Sequence, residues 1–178
     1  LLHKDFNSSL KAVDRMRPWY LSIMLAMLSA QKDGWQPEYG IDKHFIGLAV
    51  AAKRPVISLE TPELQMNSLS KIDDKTMAAL LVFSFIEGPD ANEEIDMLAK
   101  CWRFGDSASM DAYFDVIRKK FPGFVETTIT DRNKGMAKKI ETICAKPDAS
   151  LFVVVGAAHL VGKEGLVSLL EKDGFKLV

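Results

Sequence analysis

The sequence is short of several things, and each shortage removes a class of protein. Cysteine occurs twice, at Cys101 and Cys144. Two cysteines are too few for a disulfide framework, and these lie too far apart for a CxxC metal or redox motif. Their place at helical core spacing makes both read as small buried hydrophobes. A basic surplus is missing too: Lys and Arg number 23 against 24 for Asp and Glu, a formal net charge of −1. Nucleic-acid binders carry a clustered basic excess, so no nucleic-acid partner is expected. The longest apolar run, residues 19–30, is shorter than the roughly 20 residues a membrane-spanning helix needs. HExxH, GxSxG and GxGxxG are all absent, which removes the commonest zinc-protease, serine-hydrolase and dinucleotide signatures. Gly156 to Glu164 faintly resembles a phosphate loop, but Glu164 follows Lys163 where Ser or Thr is required.

What remains is the balance of a globular protein: 178 residues, 48% hydrophobic and 26% charged. That length suits a single domain, residues 1–178, with a real core. There is no internal repeat and no low-complexity segment. The chain opens at Leu1 and not Met, which is read as a fragment or a processed chain. The lack of a visible signal peptide therefore does not settle localisation.

The periodicity predicts a short helix over residues 8–16 and a second one restarted by Pro18 at its first turn. This second helix is apolar almost all round and is expected to lie deep. Another helix is predicted over residues 41–54. Pro55 ends it and launches Val56-Ile57-Ser58-Leu59, a run that suits a buried strand. Thr61 is a favoured N-cap and Pro62 a favoured first helical residue. Helical faces follow at Met77, Leu80, Leu81, Ser84 and Phe85, and at Ile95, Leu98, Cys101 and Trp102, the latter opened by an Asp90–Glu93 capping box. Further faces lie at Met110, Tyr113, Phe114, Ile117 and Phe121, and at Met136, Ala137, Ile140, Ile143 and Cys144.

Leu151-Phe152-Val153-Val154-Val155 reads as a central strand covered on both faces. A helix and a final strand over residues 175–178 then imply a right-handed parallel crossover. The expected fold class is α/β, a small mostly parallel sheet with surrounding helices and a large helical insertion between its two main strands.

Two positions stand where such a sheet places ligands. His159 follows Gly156-Ala157-Ala158 at the carboxyl end of one expected strand, and Glu60 follows the other. A lone His is usually a satisfied structural residue, but the small residues before this one leave room for a metal or substrate to approach. The plain reading of Glu60 is compensation of a helix dipole, worth about 0.3–1 kcal/mol. Glu63, inside the helix, fits that role better. An imidazole and a carboxylate at one sheet edge supply metal ligands, or a general base with an orienting partner. Arg132 and Asn133 open the helix after Asp131. A cation at a helix N-terminus opposes the dipole, so Arg132 is expected to pair with a carboxylate, Glu60 first. Asp42 and His44 either reach a site or serve the start of a helix, with Asp42 the better N-cap.

These segments resemble the TraB/GumN family, whose eukaryotic relatives include the TIKI proteases. The resemblance rests on Pro18-Trp19, Gly40-Ile41-Asp42, Leu59-Glu60-Thr61 with Gln65, Arg132-Asn133, and Gly156-Ala157-Ala158-His159 with Gly162. It implies a metal-dependent, peptidase-like hydrolase in a cell-envelope or extracytoplasmic setting, acting on a peptide or protein substrate. It also implies two GxxH motifs with an intervening acid near a divalent metal ion. On that pattern His159 and Glu60 are metal ligands, and Glu60, Arg132 and Asn133 are catalytic candidates. Gly156 to His159 is the second GxxH. Neither His3 nor His44 follows a Gly at that spacing, so the chain reads as the C-terminal part of a larger TraB/GumN-like domain with an incomplete site. The alternative class is a non-catalytic peptide-binding protein of the cell envelope that inhibits a pheromone by sequestration. Substrate, metal and oligomeric state are not legible.

Overall fold

Proline fixes a helical φ and lacks the amide that a first turn leaves unpaired, and Pro18 starts α1 (Pro18–Lys32) as expected. The computed structural model describes residues 13–84, 91–145 and 150–177. A 3-10 turn, Pro37–Tyr39, leads into α2 (Ile41–Ala51). Pro62 also opens α3 (Pro62–Ser70), where the Leu64 amide donates to Thr61 Oγ1 at 3.3 Å. The carboxylates of Asp73 and Asp106 cap α4 (Asp74–Val82) and, after α5 (Ala91–Phe104), α6 (Ser107–Lys120). Then α7 (Pro122–Val125), a π-helical turn (Glu126–Thr130) and α8 (Asp131–Cys144) run on without a break. A 3-10 turn, Ala157–His159, and α9 (Leu166–Lys172) follow.

The helical periodicity maps onto two apolar clusters. One gathers Ile72, Met77, Leu80, Ile117, Phe121 and Val125, with Trp19, Phe83 and Tyr113 packed against it. The other joins Met136, Ala137 and Ile140 of α8 to Leu166 and Leu170 of α9, with Leu59, Val155 and Phe175 leaning on it. Each fully buried Leu, Met or Val contributes about 1.5–3 kcal/mol through apolar burial. The second cluster therefore anchors α8, and with it Arg132 and Asn133.

The expected sheet is absent: no β-strand occurs among the described residues. Residues 55–59 and 151–155 run without helical turns, but no backbone hydrogen bond ties either segment to another described residue. Residues 175–177 have no ladder either, and Val178 lies outside the described residues. The parallel crossover falls with the sheet. The physical reason is that β-branched composition favours an extended backbone locally, whereas a strand requires a second backbone to pair with. Burial was misjudged for the same reason. Val56, Ile57, Leu151, Phe152 and Val153 are exposed, Phe152 at 75%, and only Leu59 and Val155, at the carboxyl ends, reach the core.

Two helical expectations also change. α1 buries Leu25 alone while leaving Tyr20 and Met27 exposed. An apolar surface all round does not bring partners to every side. α2 ends at Ala51, before Arg54, and buries none of its residues, although the Phe45 and Phe152 rings meet at 4.9 Å. Trp102, expected on an apolar face, is 58% exposed. Of the cysteines, Cys101 is buried, Cys144 is half-buried and both are free. Most of the helix expected over residues 8–16, together with Phe85, Gly88, Pro89 and the Asp90 half of the capping box, lies outside the described residues.

Candidate functional site

The first turn of α8 gathers the expected residues from three parts of the chain. Leu59, packed on the second cluster, delivers Glu60. Arg132 Nε stands 2.9 Å from Glu60 Oε1 and 3.1 Å from Oε2, and Nη2 stands 2.6 Å from Oε2. Nη1 donates to the Thr128 carbonyl at 3.0 Å. The two side chains are 17% and 19% exposed. The guanidinium fork thus grips both carboxylate oxygens, the strong geometry for such pairs.

Asn133 is the neighbour of Arg132 and is fully buried. Its Nδ2 donates to the Glu164 carbonyl at 2.7 Å, and its Oδ1 lies 2.7 Å from His159 Nδ1. His159 closes the 3-10 turn that Gly156 opens, through a bond from its amide to the Gly156 carbonyl at 2.9 Å. Its Nε2 has no hydrogen-bond partner among the described residues. Burial, and after it the Arg132 guanidinium, hold the imidazole below its ordinary range, while Glu60 pulls the other way. The lowering favours the neutral imidazole, the form that accepts a proton or binds a metal ion.

The structure thus brings Glu60, Arg132, Asn133 and His159 together around two adjacent positions of one helix. Glu60 and His159 share this site, though not as the ends of paired strands. Asp42 and His44 make no hydrogen bond to it: Gly40 occupies the N-cap of α2, Asp42 sits in the first turn, and the His44 ring packs on Phe45. One participant escaped the sequence reading, the backbone carbonyl of Glu164. A carbonyl contact 31 residues from Asn133 leaves no sequence signal.

Residues 2–178 match the TraB/PrgY/gumN family. The chain belongs to that family. Among curated proteins, this TraB/PrgY/gumN member is similar to the uncharacterized protein YbaP of Escherichia coli (strain K12) and to its counterpart in Shigella flexneri. Each is 26% identical over 168 residues, covering 85% of this chain and 55% of the relative. The chain thus spans about half the length of the curated relatives it matches. No solved structure matches it.

As for the divalent metal ion that the TraB/GumN resemblance implies, His159 fits as a ligand. Its Nδ1 is held by a buried oxygen while Nε2 is left unbonded, the arrangement that usually backs a metal-binding imidazole. Glu60 fits less well, because both its oxygens already face Arg132. Among the described residues no group of three His, Cys, Asp or Glu side chains is placed to hold a metal. A catalytic zinc-type site takes about three protein ligands, and these residues do not fill such a shell.

Proposed function

We propose that this TraB/PrgY/gumN chain contributes the histidine–acid half of a metal-dependent hydrolase site that acts on peptide or protein substrates. The observation that carries this reading is the part-buried Asn133–His159 bond, which leaves an unbonded Nε2 on a neutral imidazole. In this reading His159 Nε2 takes a divalent metal or, failing one, the proton of an attacking water. The metal, when bound, would supply Lewis-acid polarisation of the scissile carbonyl and of water. Arg132 holds Glu60 pointed at the same turn. Asn133 lies too deep to touch substrate, so among the candidates it supports and does not react.

A second reading has one observation in its favour. Glu60 is already neutralised by Arg132, as suits a site that binds a peptide without cleaving it. The deciding experiment is peptide cleavage by the full-length gene product, with and without a chelator, for wild type, His159→Ala and Glu60→Gln. Loss of chelator-sensitive turnover in His159→Ala, with the circular-dichroism spectrum unchanged, is the expected result. Cleavage unaffected by His159→Ala overturns the hydrolase reading. Peptide binding without cleavage favours the second.

A further inference from the structure

We propose that Asn133 is a positioning residue that fixes the tautomer of His159, and that the loop at residues 160–165 sets this choice through the Glu164 carbonyl. The inference deepens the reading of the same site but stands on hydrogen-bond chemistry alone.

An amide side chain has one acceptor end and one donor end, and a backbone carbonyl can only accept. At 2.7 Å from the Glu164 carbonyl, Asn133 must present its NH2 group there. The oxygen is then the end that faces His159 Nδ1, also at 2.7 Å. An oxygen that only accepts, facing a ring nitrogen at that distance, requires the proton on Nδ1. A neutral imidazole carries one N–H, so Nε2 bears the lone pair. Solvent cannot rescue the opposite arrangement, because Asn133 has no exposed surface. Flipping the amide would set NH2 against Nδ1 and leave two oxygens facing each other at Glu164, a buried mismatch of the kind that costs about 1–3 kcal/mol.

The Glu164 carbonyl is itself held in place. The Gly165 amide donates to the Gly162 carbonyl at 3.1 Å, and Ser168 Oγ donates to the same carbonyl at 2.9 Å. Gly165 is buried, and a Cβ there would strike the Leu160 and Val161 carbonyl oxygens. The loop therefore keeps one conformation, its carbonyl orients the amide, and the amide orients the proton.

Tautomers are read directly from the 15N shifts of a histidine ring, on the full-length protein and without any activity assay. In wild type at pH 8, His159 Nδ1 is expected at the protonated, pyrrole-type position and Nε2 at the unprotonated, pyridine-type position. Asn133→Asp keeps an acceptor against Nδ1 but sets an oxygen against the Glu164 carbonyl, so Nδ1–H should persist while the melting temperature falls. Asn133→Leu removes the acceptor, and the proton should move to Nε2 in most molecules, with backbone amide shifts reporting whether the fold survives. A wild-type spectrum with the proton on Nε2 overturns the inference outright, whatever the variants do. An Asn133→Leu protein that is folded and keeps Nδ1–H overturns the role of Asn133. Failure of the peptide-cleavage experiment would touch neither outcome.

Discussion

The Glu60–Arg132 pair gives the sharpest quantitative expectation. Exposed ion pairs contribute roughly 0–1 kcal/mol, whereas removing one partner of a buried pair costs about 3–5 kcal/mol, much of it the penalty for the charge left behind. This pair sits between those limits, because each side chain retains less than a fifth of its surface. The guanidinium is also fastened to the Thr128 carbonyl, so little side-chain entropy is recovered when Glu60 is lost. Arg132→Met is therefore expected to destabilise the chain by about 2–3 kcal/mol, an interpolation between the two limits. Arg132→Lys should recover only part of that, since a single ammonium cannot grip both oxygens. Once Glu60→Gln has removed the orphaned charge, the further cost of Arg132→Met should be smaller. Urea unfolding of wild type, both single variants and the double variant closes the cycle, with a coupling energy of about 1–2 kcal/mol expected. Additivity of the two substitutions within about 0.5 kcal/mol, the scatter of independent sites, would refute the pairing as a source of stability.

The lowered His159 pKa predicts an acid sensitivity whose sign follows from linkage. The unfolded chain holds that proton more tightly, so the contribution of the neutral folded imidazole is present above the ordinary value of about 6.5 and is lost as pH falls below it. The urea midpoint of wild type should drop between pH 7 and 5 more than that of His159→Gln, and equal drops would count against a half-buried neutral imidazole. Two glycines should respond oppositely to alanine. Gly162 has φ +81° and a Cβ there would collide with the Asp111 carboxylate, whereas nothing lies within 4 Å of a Cβ at Gly135 in α8. Thermal melts should show Gly162→Ala destabilised by about 1–3 kcal/mol and Gly135→Ala stabilised by about 0.5–1 kcal/mol. A stabilised Gly162→Ala protein would mean that the loop does not hold this shape.

The helices were legible because their signals are local. Thr61 and Pro62 announce the start of α3 within two residues, and the spacing of Met136, Ala137 and Ile140 places all three on one buried face. The extended segments failed because a strand is defined by its partner. Val56, Ile57 and Phe152 carry no record of whether a neighbouring backbone exists. Glu60 meets Arg132 and Asn133 meets His159, though not for the expected reasons. Arg132 was expected to seek a carboxylate because it opened a helix against the dipole. In fact helical turns precede it from Pro122 onward, so the bidentate match to Glu60 is the better explanation. Asn133, one of the catalytic candidates, has no exposed surface.

The π-helical turn at Glu126–Thr130 has a bearing on how this chain tolerates changes of length. Such turns are commonly a single extra residue accommodated inside an α-helix, and they concentrate at functional sites. Removing one residue from this stretch would let α7 and α8 fuse into one regular helix, a change that backbone hydrogen bonding alone would favour. Each residue of an α-helix advances about 100° around its axis. Because the turn takes up its extra residue by widening locally, deleting that residue would leave the flanking helices nearly in phase and remove the widened turn itself. The Thr128 carbonyl would then leave the Arg132 guanidinium. Point substitutions on the outer face of this turn leave the widened turn intact, whereas a deletion here removes it. Within this stretch, residue number is the more constrained property, and residue identity the freer one.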